Sequence, residues 1–163
     1  MIALIDYGAG NLTSVRKAFA AIGADLFVPE TPADLDRADA VVVPGVGHFG
    51  ATRALEGEWT AAILERLGEG RPLFGICLGM QWLFEGSDEA PDCPGLGLLG
   101  GRCARLSPDA AHGADLKVPH VGWNSLDLKC EAPIVEGVAP QAQVYFTHSY
   151  AAPVTGDTVA VTE

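Results

Sequence analysis

The sequence predicts an α/β fold in three layers: a central, mostly parallel sheet flanked by helices, with a short antiparallel extension. Three observations predict it. Short apolar strands alternate with helical patterns from Met1 to Phe84, which is how parallel strands joined by crossovers read. A cysteine stands between two glycines, Gly75-Ile76-Cys77-Leu78-Gly79, where one such strand should turn into a helix. After Phe84, short extended runs broken by Gly, Pro and polar residues take over, a texture that suits antiparallel strands.

The first strand is the apolar run Ile2 to Asp6, followed by the turn Tyr7-Gly8-Ala9-Gly10-Asn11. Leu12, Val15, Phe19 and Ile22 fall on one helical face, and Gly23 supplies a stop. Asp25 to Val28 reads as a second strand, and Pro29 and Pro32 punctuate the stretch after it. Ala40-Val41-Val42-Val43 is apolar at every position, as a strand covered on both faces must be. Pro44 ends it, and the glycine-rich loop Gly45 to Gly50 leads into a helix expected to run to about Leu67. Pro72 to Ile76 is a fourth strand, with a helix beginning at Cys77 and continuing to Phe84. Beyond it, extended runs lie near Arg102 to Leu106, Lys117 to Trp123, Val144 to Tyr150 and Thr158 to Val161. Parallel sheets place their sites at the carboxyl ends of the strands. Three loops qualify: after Asp6, after Val43 and after Ile76.

With 163 residues, 48% of them hydrophobic and 19% charged, the chain is expected to form a single domain, 1–163, with a real core. No apolar run is long enough for a membrane span, and Met1 to Ile5 runs into Asp6 without a basic leader. The expectation is a cytoplasmic chain. A net charge of −11 disfavours nucleic acid as a partner. The four cysteines, Cys77, Cys93, Cys103 and Cys130, form no CxxC pair, and the last three read as ordinary core or loop thiols. No metal-ligand or Walker spacing occurs, so neither metal nor cofactor is expected. Gly95-x-Gly97-x-x-Gly100 matches a dinucleotide fingerprint only on paper, because prolines precede it and no helix pattern comes after it.

Cys77 is the candidate nucleophile. Glycines at 75 and 79 relieve crowding around a strained turn that pushes the thiol out of the sheet. The helix N-terminus favours thiolate, and the Leu78 N–H points where a tetrahedral oxyanion would form. A second donor is expected from the Pro44 to Gly47 loop, whose glycines permit a backbone flip. Trp82 and Phe84 read as core, and Trp59 as helix packing. Trp123, between Gly122 and Asn124 in what reads as a polar loop, suits a partner surface.

Gly75 to Gln81, GICLGMQ, resembles the nucleophile elbow of class I glutamine amidotransferases, whose fold is flavodoxin-like. IDYGAGNLTSV (Ile5 to Val15), PGVGHFG (Pro44 to Gly50), KVPHVGWN (Lys117 to Asn124) and YFTHSY (Tyr145 to Tyr150) narrow the resemblance. They are similar to the glutaminase subunits of imidazole glycerol phosphate synthases, enzymes of histidine biosynthesis. The resemblance implies that Cys77 attacks the side-chain amide of glutamine, forms a thioester and releases ammonia. A (βα)₈-barrel synthase partner would use that ammonia to make imidazole glycerol phosphate and an aminoimidazole carboxamide ribotide. It also implies oxyanion N–H groups at Val46 and Leu78, and glutamine binding by Gly47, Gln81, Ser149 and Tyr150. The Tyr7 to Asn11 loop, Asn11 included, would face the synthase together with His120, Trp123 and Asn124.

One departure stands out. The family completes its triad with a His and a Glu in a late His-Pro-Glu motif that these residues do not contain. The expectation is a truncated chain, with little or no glutaminase activity in residues 1–163 by themselves. Glutamine turnover abolished by Cys77→Ala would overturn that. His48, His112, His120 and His148 are better read as lining or solvated histidines than as the missing base. Two alternatives stay open: a catalytically incomplete binding module of the same fold, and another elbow-cysteine hydrolase with no synthase partner.

Overall fold

The computed structural model describes residues 1–107 and 117–162, which form two compact units, Met1–Arg102 and Cys103–Glu163. His112 lies outside the described residues.

In the first unit, β1 (Ile2–Leu4), β2 (Leu26–Phe27), β3 (Ala40–Val43) and β4 (Leu73–Gly75) form one parallel sheet in the order β2-β1-β3-β4. The register pairs Ile2 with Leu26 and Ala40, Leu4 with Val42, and Val43 with Gly75. The two inner strands are the apolar ones. Ala3, Leu4, Val41, Val42 and Val43 are all at most 2% exposed, whereas Phe74 on edge strand β4 is 41% exposed. Continuous apolar sequence thus marks central position. Leu35, Ala38, Leu55, Ile63 and Trp82 complete the core around them. Trp82 and Phe84 are buried, and Trp59 packs against the core from α2.

Helix α1 (Leu12–Ala21) begins where the Asn11 side chain accepts the Ser14 N–H and stops before Gly23, whose φ of 72° only glycine adopts freely. Ile22, read as part of its apolar face, is instead 78% exposed. It is the capping residue, past the last helical turn, and no longer follows the helical stripe. The long helix expected from Gly50 to Leu67 is two elements. A 3₁₀ segment, Phe49–Leu55, buries Phe49, Thr52 and Leu55, a spacing of three that matches three residues per turn. Gly57 at φ 77° then breaks the chain before α2 (Glu58–Gly68). The helix after Cys77, expected to reach Phe84, is the five-residue α3 (Leu78–Trp82). The chain then turns through β5 (Gly86–Ser87) and the Gly95 to Gly100 segment, which is irregular over 95–97 and bent over 98–100.

The second unit is antiparallel. Its strands are β6 (Arg102–Arg105), which starts at the boundary, β7 (His120–Ser125), β8 (Asp127–Leu128), β9 (Gln143–His148), β10 (Tyr150–Ala151) and β11 (Ala160–Val161). Strand β7 pairs with β9 over six residues, β8 with β11, and β6 with β10. Among the described residues, no helix is long and apolar enough to cross a membrane.

Candidate active site

Strand order decides which loops meet. Strands β1, β3 and β4 are adjacent and parallel, so the segments after Leu4, Val43 and Gly75 emerge side by side at one edge of the sheet. Backbone hydrogen bonds tie them together. Val46 N–H donates to Ala9 O at 2.5 Å, Leu78 N–H to Gly45 O at 3.4 Å, and Ile76 N–H to Val43 O at 3.0 Å.

Cys77 sits at φ 54°, ψ −110° and its side chain is exposed. A residue with a Cβ held there costs about 1–3 kcal/mol, which its surroundings must impose. The neighbouring glycines show how. A Cβ on Gly75 would lie 2.6 Å from Met80 N, and one on Gly79 would lie 1.8 Å from Val43 O. The chain doubles back so tightly between β4 and α3 that nothing larger than hydrogen fits on either side. Gly45 is confined in the same way, its absent Cβ falling 2.2 Å from Tyr7 Oη and 2.7 Å from Leu78 Cβ. The positive φ therefore belongs to Cys77 itself, and the flanking glycines provide clearance.

The Gly45–Val46 peptide governs both expected oxyanion donors. Its carbonyl accepts Leu78 N–H, and its own N–H is held by Ala9 O. In this conformation neither N–H is directed to a ligand, unlike the presentation expected from the sequence. The loop that carries the peptide is braced beyond it. Phe49 N–H donates to Glu89 Oε2 at 2.7 Å, and Phe49 packs with Leu78 and Cys93 in a small buried cluster. Gly47 is exposed at φ 92°, and Gln81 is 8% exposed on α3. His48 uses its Nδ1 to accept Gly50 N–H, which caps the 3₁₀ segment.

Tyr7 was not singled out by spacing. Its hydroxyl is buried beside Gly45 and has no hydrogen-bond partner among the described residues. Burial, reinforced by the negative charge of Cys77, pushes its pKa up to about 12, so the phenol stays protonated. Nor did the sequence signal the bracing role of Glu89. Asn11, expected at a partner surface, also serves as the N-cap of α1.

The second unit carries the other expected residues. Ser149 O accepts Leu106 N–H, and Tyr150 lies on β10. His148 Nδ1 lies 3.0 Å from Tyr150 O, and its Nε2 lies 3.0 Å from His120 Nδ1. A carbonyl only accepts, so His148 carries its proton on Nδ1 and, when neutral, takes a proton donor from His120. Both ring nitrogens of His148 are thereby engaged. His120 also stacks on Phe146 at 5.1 Å. Trp123, expected in a loop, lies instead within β7 paired with Tyr145, because the ribbon continues to Ser125; it is 70% exposed and meets Tyr145 edge-on, and Asn124 Oδ1 accepts Ser125 N–H.

Burial, then the charge of His148, holds the His120 pKa below its ordinary 6.5. The unfolded chain therefore binds more protons below about pH 6.5, and stability falls as the pH drops through that range. Thermal melts should show a lower Tm at acid pH than at neutrality, and His120→Phe should flatten the slope. An unchanged slope in the variant would refute the assignment.

Residues 3–162 match the family model "Glutamine amidotransferase class-I". The chain is 47% identical over 152 residues to "Imidazole glycerol phosphate synthase subunit HisH" of Bacillus subtilis, covering 92% of this chain and 71% of that one. The protein of the same name from Deinococcus radiodurans is 43% identical, with 94% and 70% covered. That from Methanothermobacter thermautotrophicus is 46% identical, with 98% and 77% covered. Among solved structures, a glutamine amidotransferase superposes with a TM-score of 0.73 at 19% identity, over 98% of this chain and 79% of that one. PurLQS from Thermotoga maritima gives 0.64 at 17% identity, over 99% and 73%.

Proposed function

The chain belongs to the class-I glutamine amidotransferase family, and we propose that it acts as the glutaminase subunit of an imidazole glycerol phosphate synthase. The observation that carries the chemistry is Cys77, held at φ 54° and exposed at the edge where three strand ends converge. Strain at a nucleophile is kept only where the surroundings over-determine it and function uses it.

The reaction follows from that thiol. A base, a role assigned to none of the histidines among residues 1–163, removes the Cys77 proton, and Sγ attacks the carboxamide carbon of glutamine, making an oxyanion. Collapse breaks the C–N bond, releases ammonia and leaves a glutamyl thioester. Water attacks the thioester carbon, freeing glutamate and restoring the thiol. The oxyanion needs preorganised donors, each worth on the order of 3–4 kcal/mol in the transition state. Val46 and Leu78 N–H are assigned to it. Turning the single Gly45–Val46 peptide through about half a rotation would release Leu78 N–H and swing Val46 N–H to the same side. Gly45 gives that rotation freedom at one end. Gly47 and Gln81 are assigned to glutamine on the first unit, and Ser149 and Tyr150 on the second.

Ammonia is then used by a (βα)₈-barrel synthase subunit, which forms imidazole glycerol phosphate and aminoimidazole carboxamide ribotide in the cytoplasm. Exposed Trp123, with His120, Asn124 and Asn11, is assigned to the surface that meets it. Coupling is economical with ammonia if partner binding drives the peptide rotation.

Adding the barrel synthase and its ligand to the full-length protein should raise glutamine turnover at least tenfold, about 1.4 kcal/mol of barrier. A chloroketone analogue of glutamine should alkylate Cys77 and be competed off by glutamine. Turnover indifferent to the synthase would favour an independent hydrolase. Analogue binding without turnover in the assembled protein would favour a binding module.

A further inference from the structure

Buried hydroxyls in folded proteins nearly always find a partner, and one left alone costs about 1–3 kcal/mol. Among the described residues Tyr7 Oη is such a group, and it lies beside Gly45, the residue that opens the one peptide on which both assigned oxyanion donors depend. Its ring packs on the core cluster, so the hydroxyl is fixed in place rather than free to swing to solvent.

The rotation of the Gly45–Val46 peptide creates a matching need. In the present conformation the Gly45 carbonyl accepts from Leu78 N–H. Once turned, it loses that donor and swings toward the side where Ala9 offers only a carbonyl oxygen. Two facing carbonyls repel, and a buried acceptor without a donor carries the same penalty as an orphaned hydroxyl. Among the described residues, the unpartnered buried donor beside Gly45 is Tyr7.

We propose that Tyr7 is a positioning residue of the oxyanion site, its hydroxyl donating a hydrogen bond to the Gly45 carbonyl when the Gly45–Val46 peptide turns over. The hydroxyl is unsatisfied in the resting arrangement and satisfied in the reacting one, which biases the loop toward the state that binds the oxyanion. The phenol's pKa of about 12 keeps the donor proton in place throughout the working pH range. This inference rests on the glutaminase reading above.

The test is Tyr7→Phe in the full-length protein assembled with its synthase. The variant should lose about tenfold in kcat, about 1.4 kcal/mol, with the KM for glutamine unchanged. Its Tm should be equal or higher, because a partnerless hydroxyl has been removed, and the pH profile of Cys77 alkylation by iodoacetamide should not move. A second measurement keeps the hydroxyl. A fluorinated tyrosine at position 7 ionises at lower pH and then cannot donate, so the alkaline limb of kcat should shift toward neutrality. Unchanged kcat, a fall in kcat matched by a fall in Tm, a shifted alkylation profile, or an unmoved alkaline limb would each overturn the proposal. Wild-type turnover that survives Cys77→Ala would instead overturn the glutaminase reading beneath it.

Discussion

Cys77→Ala should abolish glutamine turnover in the full-length protein assembled with its synthase, by on the order of a millionfold, as loss of a covalent nucleophile does. Among the described residues, no other side chain at the converging strand ends can form the thioester, and the residual rate would reflect binding and oxyanion stabilisation alone. The variant should fold as well as the parent. The thiol is exposed, and alanine keeps a Cβ at φ 54°, so packing and strain both persist. Cys77→Gly makes the complementary case. It should be equally inactive yet more stable by about 1 kcal/mol, because glycine adopts positive φ without the steric cost. Denaturant melts and a glutaminase assay together read both. A glycine variant less stable than the parent would mean that the turn stores no strain at Cys77.

Gly79→Ala should unfold the elbow. The added methyl would overlap Val43 O at 1.8 Å, and the clash is with backbone on the central strand β3 rather than with a movable side chain. Overpacking of a rigid site costs about 1–3 kcal/mol and sometimes more, and here relief requires parting α3 from β3. Most of the stability of a marginal domain is at risk. A large fall in Tm with loss of activity is expected. Gly68→Ala is the control, since nothing lies within 4 Å of its Cβ position and it ends α2. It should be neutral or stabilising by up to about 1 kcal/mol. Equal behaviour of the two variants would sink the argument that the elbow glycines act by clearance.

How much of this was legible in the sequence differs from element to element. Ala40 to Val43 announced a doubly covered strand, and its burial agrees. Ile22 shared the helical period of α1 but not its fate, because periodicity continues in the letters after the helix has been capped. The helix expected through Leu67 failed at Gly57, since apolar spacing alone does not reveal that a glycine will be used at positive φ. At the site, Cys77 and its flanking glycines were evident from their order along the chain. Glu89 and Tyr7 were not, because their roles depend on neighbours 40 and 38 positions away, Phe49 and Gly45.

The sequence by itself determined the local chemistry: an α/β alternation, a cysteine at a strand-to-helix junction, and glycines wherever backbones must approach. Each comes from propensity, period or the absence of a Cβ, which are properties of adjacent residues. Only the tertiary structure decided that β1, β3 and β4 stand side by side, so that their three loops meet. Only it brought the two N–H groups assigned to the oxyanion under the control of one peptide, and set a tyrosine hydroxyl with no partner among the described residues beside Gly45. Strand order and hydrogen-bond partnership are set by packing between residues far apart in the chain, and no local pattern encodes them.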